Sequence, residues 1–108
     1  MPKSEQFQTW AFESRDPFDR ERLVEMVRRE LPETVFRCKG IVGIRDDPGV
    51  RYALQVVGRR TTLEPLGEWG GRQRVSQVVA IGSEIDEADL KSRFEKCRVR
   101  DSDGAETT

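Results

Sequence analysis

The sequence predicts an α+β domain, a two-layer sandwich in which a mainly antiparallel sheet of four or five strands carries two helices on one face, in the order β-α-β-β-β-α. Three observations lead there. Apolar and polar residues alternate with period two in three separate segments, the signature of strands covered on one side. Two places carry the same helix-start device, an Asp preceded by a large apolar residue, with Leu at the fourth helical position. At 108 residues the chain has room for one domain with one core, which removes roughly two thirds of the unfolded surface from water without disulfides or a structural metal.

The first strand is expected over residues 6–14, where Phe7, Trp10 and Phe12 mix with short polar residues. Asp19 then caps a helix, with Phe18 and Leu23 as its hydrophobic staple. The stripe Leu23, Val27 and Leu31 faces the core, Met26 and Val24 widen it, and Pro32 ends it. The second strand, residues 35–44, turns Phe36, Cys38, Gly40, Val42 and Ile44 one way and Arg37 and Lys39 the other. Asp46-Asp47-Pro48-Gly49 is turn chemistry, so a third strand over residues 50–58 completes a hairpin. Its Tyr52, Leu54 and Val56 join the core side, opposite Arg51, Ala53, Gln55, Val57 and Arg59, and Gly58 marks a bulge. Residues 60–66 continue as an extended segment, a strand of its own or an extension of the third, until Pro65 and Gly67 stop it. Residues 67–72 form a Gly-rich loop tip holding Trp69, and residues 76–82 are apolar enough for a central strand with both faces at least partly covered. Asp86 caps the last helix, with Ile85 and Leu90 as its staple and Leu90, Phe94 and Cys97 as its core stripe. Residues 1–5 and the small polar tail 101–108 are expected to be disordered, because they carry too little apolar surface to offset the entropy of ordering them.

Composition removes several function classes. With 19 basic and 20 acidic residues the net charge is −1, which gives no long-range attraction to nucleic acid or anionic membrane. No apolar run approaches the ~20 residues of a membrane span, and the polar N-terminus does not suit a signal peptide. Only Cys38 and Cys97 occur, far apart and on core-facing positions, which suits buried, reduced thiols in a cytoplasmic protein. A thiolate metal site would need further ligands to reach the usual four, so no metal or other cofactor is expected. The chain has no histidine, which excludes imidazole-based nucleophilic catalysis. Residues 67–71 lack the spacing of a phosphate-cradling loop or a dinucleotide fingerprint. Asp46 and Asp47 belong to a turn, and Glu84, Asp86, Glu87 and Asp89 crowd a helix N-terminus where the macrodipole accounts for them. No catalytic residue is nominated.

What remains is a surface. With both helices on one face, the other stays open, and there Arg37 and Lys39 of the second strand and Arg51, Gln55 and Arg59 of the third make a polar, cationic face, with Arg37, Lys39, Gln55 and Arg59 as the candidate partner-binding residues. Such residues are either ordinary solvated positions or a docking site; Trp69 plugs the sheet edge or anchors the same partner.

The residues also carry a family resemblance, from about Phe7 to Cys97. Asp16-Pro17-Phe18-Asp19, a helix ending in Leu31-Pro32, and Arg37-Cys38-Lys39-Gly40 follow one another in order, the last resembling an Arg-Ala-Lys-Gly element with Cys for Ala. Gln55-Val56-Val57-Gly58-Arg59-Arg60, Trp69, residues 77–82 and Ile85-Asp86 continue the series. Together these resemble the C-terminal domain of the CobW family of metal-chaperone GTPases, linked to cobalamin synthesis and metal insertion. The resemblance implies that the GTP-binding and metal-binding motifs belong to a preceding domain outside this match. It also implies a non-catalytic role in protein interaction, with a GTPase domain in cis or trans, a client metalloprotein, or a second copy as partner. The alternative from another class is a single-stranded nucleic-acid-binding module using the open face. The near-neutral charge and the lack of expected stacking aromatics on that face argue against it.

Overall fold

The computed structural model describes residues 7–99, so the expectations for residues 1–5 and 101–108 fall outside it. Five strands form one sheet: β1 (Gln8–Ser14), β2 (Val35–Gly43), β3 (Val50–Val57), β4 (Arg60–Glu68) and β5 (Ser76–Gly82). Their order across the sheet is β1-β5-β2-β3-β4, and every neighbouring pair is antiparallel. The last strand in sequence therefore lies between the first two, and β1 and β4 are the edges. Two helices cover one face: α1 (Arg20–Glu25), which widens into a π-helical turn over Met26–Glu30, and α2 (Glu87–Glu95).

The helix starts work as their residues dictate. The Asp19 Oδ2 accepts from the Arg22 N–H at 3.0 Å, and the Asp86 Oδ1 accepts from the Asp89 N–H at 3.1 Å, each satisfying one donor that a helix N-terminus leaves free. Phe18 and Leu23 are fully buried at the first start, and Ile85 packs against the core beside the second. Leu31 lies just past the π-helical turn in an extended conformation, yet still packs on the core, as the residue before a proline is pushed to do.

An aromatic cluster of Trp10, Phe12, Phe18 and Phe94, with ring centroids 5.6 to 6.4 Å apart, joins β1, the approach to α1, and α2. Burying each such ring stabilises the fold by about 1.5–3 kcal/mol. Cys38, Val42, Tyr52, Leu54, Val56, Val78 and Ala80 complete the sheet side of the core. Cys38 and Cys97 are buried free thiols, and burial pushes them up to about 12 and about 11 respectively. The β2–β3 turn is tied to α1. The Arg20 Nη2 donates to Asp46 Oδ1 at 2.9 Å and to Tyr52 Oη at 3.0 Å, while the Tyr52 hydroxyl donates to Asp47 Oδ2 at 2.7 Å.

Several expectations need correction. Residues 60–66 do belong to a separate strand, β4, and it runs on through Pro65 and Gly67 to Glu68. An edge strand tolerates this proline, and a register shift between Arg51 and Tyr52 leaves Leu66 as an extra residue. Gly58 is not a bulge. With a φ of +59°, it begins the two-residue turn Gly58-Arg59 between β3 and β4, and glycine reaches that conformation without steric cost. Phe36 does not face the core; a register shift between Val35 and Arg37 makes it the bulged residue of β2, and it is 44 % exposed. β5 is central but covered on one face only, since Val79 and Ile81 are each 39 % exposed. Among the described residues no helix is long and apolar enough to cross a membrane.

Candidate functional site

The open face is built by cross-strand rows whose composition follows from the register. In one row Thr9, Ile81, Arg37, Val57 and Arg60 are successive neighbours across the five strands. The next row is Ala11, Val79, Lys39, Gln55 and Thr62. Directly opposed residues on one sheet face sit about 4.5–5.5 Å apart at Cα. Arg37 therefore stands between Ile81 and Val57, and Lys39 between Val79 and Gln55. Val57 is 52 % exposed, and neither cation has a carboxylate within ion-pair distance among the described residues.

The structure thus brings Arg37, Lys39 and Gln55 together, as alternation predicts. It does not add Arg59, which sits in the β3–β4 turn and lines a hollow with Leu31, Pro32 and Phe36. Trp69 is not an exposed anchor either. Only 4 % exposed, it lies where a Cβ on Gly43 would meet its ring edge at 3.7 Å, and its backbone N–H donates to the Gly49 carbonyl at 3.0 Å. It plugs the end of the sheet.

Alternation places Val57 on this face, but sequence reasoning missed the rest of its apolar part. Ile81, Val79 and Val57 are exposed beside the cations, and Phe36 meets Phe7 edge to face at 5.9 Å next to Arg37. A signal was available in β5, whose other set is Ser76, Val78, Ala80 and Gly82. Small residues mark the side where other backbone comes close, which assigns Val79 and Ile81 to the uncovered side. At Gly82 an added Cβ would collide with the Thr34 carbonyl oxygen. Among the described residues no group of three His, Cys, Asp or Glu side chains could hold a metal ion.

The sequence model of the family described as "Cobalamin synthesis protein cobW C-terminal domain" matches residues 7–98. Two solved structures share the fold. The crystal structure of Zn(II)-bound YjiA GTPase from E. coli is 24% identical with a TM-score of 0.74, and a Zn(II)-bound triple mutant of YjiA GTPase is 23% identical with a TM-score of 0.75. Each match covers 90% of this chain and 31% of that one, so the chain spans about a third of the length of the GTPase chains it resembles. No curated protein matches the chain.

Proposed function

The chain belongs to the CobW C-terminal domain family, and from that premise we propose that it is the non-catalytic recognition domain of a CobW-type metal-chaperone GTPase system, docking a GTPase domain in cis or in trans on its open sheet face. One observation carries the reading: among the described residues, Arg37 and Lys39 stand without ion pairs beside exposed Ile81, Val79 and Val57, on the sheet face away from the two helices. An apolar centre studded with cations supplies both parts of a protein interface. Burying the aliphatic side chains provides the driving force, and the cations give steering and register to a partner that brings carboxylates. A client metalloprotein or a second copy of the chain would use the same chemistry.

The test is calorimetric titration of the chain with a CobW-type GTPase domain. Ile81→Glu should weaken binding at least tenfold by removing an aliphatic contact and placing a carboxylate opposite Arg37, where it competes with the partner's. Arg37→Ala/Lys39→Ala should weaken it less and flatten its salt dependence. The Arg37→Ala/Lys39→Ala variant should melt within a few degrees of the parent, because exposed charges are each worth only ~0.2–1 kcal/mol, and binding by Ile81→Glu is compared per folded molecule. Unchanged binding by both variants would refute the face. A second reading, single-stranded nucleic-acid binding, draws on the Phe7 and Phe36 rings beside Arg37. It would be favoured by binding of an oligonucleotide that Phe36→Ala abolishes.

A further inference from the structure

At the opposite end of the sheet the arginines are distributed differently. Arg15 follows β1, Arg45 follows β2, Arg51 lies at the start of β3, and Arg72 and Arg74 belong to the loop before β5. Two adjoining hollows open there, of about 530 and 330 Å³, and Trp69 and Arg15 line both. Arg51 and Arg72 line the larger; Arg45 and Arg74 line the smaller. The single carboxylate in these walls is Glu13, whose Oε2 already accepts from Gln77 Nε2 at 2.8 Å. Every ion pair among the described residues lies elsewhere, on Arg20, Arg29, Arg93 or Arg98.

Two lining residues also carry a buried donor: the indole N–H of Trp69 and the Nε–H of Arg51 are inaccessible to solvent and have no acceptor among the described residues. Buried donors without partners are uncommon, because each keeps its full desolvation cost. Five guanidinium groups gathered in a protein of net charge −1 are a local asymmetry, and their mutual repulsion costs the fold free energy.

We infer that these paired hollows around Trp69 bind an acidic peptide segment, carboxylates entering between Arg51 and Arg72 on one side and Arg15, Arg45 and Arg74 on the other. Guanidinium groups match carboxylates fork to fork. Ile41 and Val75 in the larger hollow accept the aliphatic stem of a glutamate, and the Gln73 and Gln77 amides suit a peptide backbone. Two hollows sharing one wall suit a chain bearing several carboxylates better than a lone ion. A nucleic acid fits less well. Its bases need exposed rings, and Phe36 is separated from Arg45 by the length of β2, about 30 Å. The site uses none of the residues of the face proposed above, so either can fail while the other stands.

Calorimetric titration of the full chain with an end-blocked hexaglutamate peptide at low salt tests this, with inorganic phosphate and a single-stranded oligonucleotide as comparators. The peptide should bind and the comparators should not. Arg72→Gln and Arg51→Gln should each weaken binding about tenfold, as loss of a charge-assisted hydrogen bond does. Arg37→Ala/Lys39→Ala should change it less than twofold. Arg51 is half-buried, so the exposed pair Arg72→Gln/Arg74→Gln decides the matter if Arg51→Gln misfolds. Equal binding by the Arg72→Gln/Arg74→Gln variant, tighter binding of phosphate or oligonucleotide, or no peptide binding would each overturn the inference.

Discussion

Gly40→Ala is a small change with a large expected consequence. Gly40 lies in the middle of β2, paired with Val78 of β5 on one side and Leu54 of β3 on the other. A Cβ there would collide with the Gln77 carbonyl oxygen and come within 2.9 Å of the Val78 Cα. Both obstacles are backbone of a central strand and cannot rotate away. Elsewhere, Gly to Ala at a compatible position gains about 0.4–1 kcal/mol by restricting the unfolded chain. Here β2 and β5 must move apart, and forced overpacking of this kind costs about 1–3 kcal/mol, with ladder hydrogen bonds lost in addition. A net loss of ~3 kcal/mol lowers the melting temperature of a domain this size by roughly 10–20 °C. Urea unfolding followed by circular dichroism measures it, with Gly49→Ala as control because nothing lies within 4 Å of a Cβ there. A midpoint for Gly40→Ala equal to that of the control would refute the reasoning. The same contact explains why glycine ends the Arg37-Cys38-Lys39-Gly40 element: at that position the backbone of β5 lies where a Cβ would stand.

Two further outcomes are expected. Burial raises the Cys38 and Cys97 thiols to about 12 and about 11, so folded and unfolded states carry the same protons below the unfolded value of about 8.5. Above it the unfolded state ionises first, and stability should fall with rising pH by about 1.4 kcal/mol per unit per thiol until the folded values are reached. Unfolding midpoints between pH 7 and 10.5 should therefore decline less steeply in Cys38→Ala than in the parent, and identical slopes would contradict the burial argument. Glu84 is exposed in the loop before α2 with a φ of +52°, a left-handed conformation that costs a side chain roughly 1–2 kcal/mol. Glu84→Gly should relieve that strain at some entropic cost and raise stability by ~0.5 kcal/mol; a lowered melting temperature would show that the Glu84 side chain stabilises the loop.

Local information in the sequence determined the elements: period-two alternation placed β2 and β3, and paired Asp caps with apolar staples placed both helices. It also determined that Arg37, Lys39 and Gln55 share a face, since strand geometry alone sends alternate side chains to one side. Three matters were decided only by the tertiary structure, because each depends on which backbone lies beside which. The insertion of β5 between β1 and β2 sets Val79 and Ile81 beside Lys39 and Arg37, and no periodicity within residues 76–82 reveals which strands are its neighbours. The bulge at Phe36 arises from pairing β2 with β5, and it reverses the side of a residue that alternation assigns to the core. The grouping of Arg15, Arg45, Arg51, Arg72 and Arg74 around Trp69 joins segments as far as 59 positions apart in sequence, from Arg15 to Arg74. Contacts of that separation follow from strand order and loop packing, which are properties of the assembled sheet.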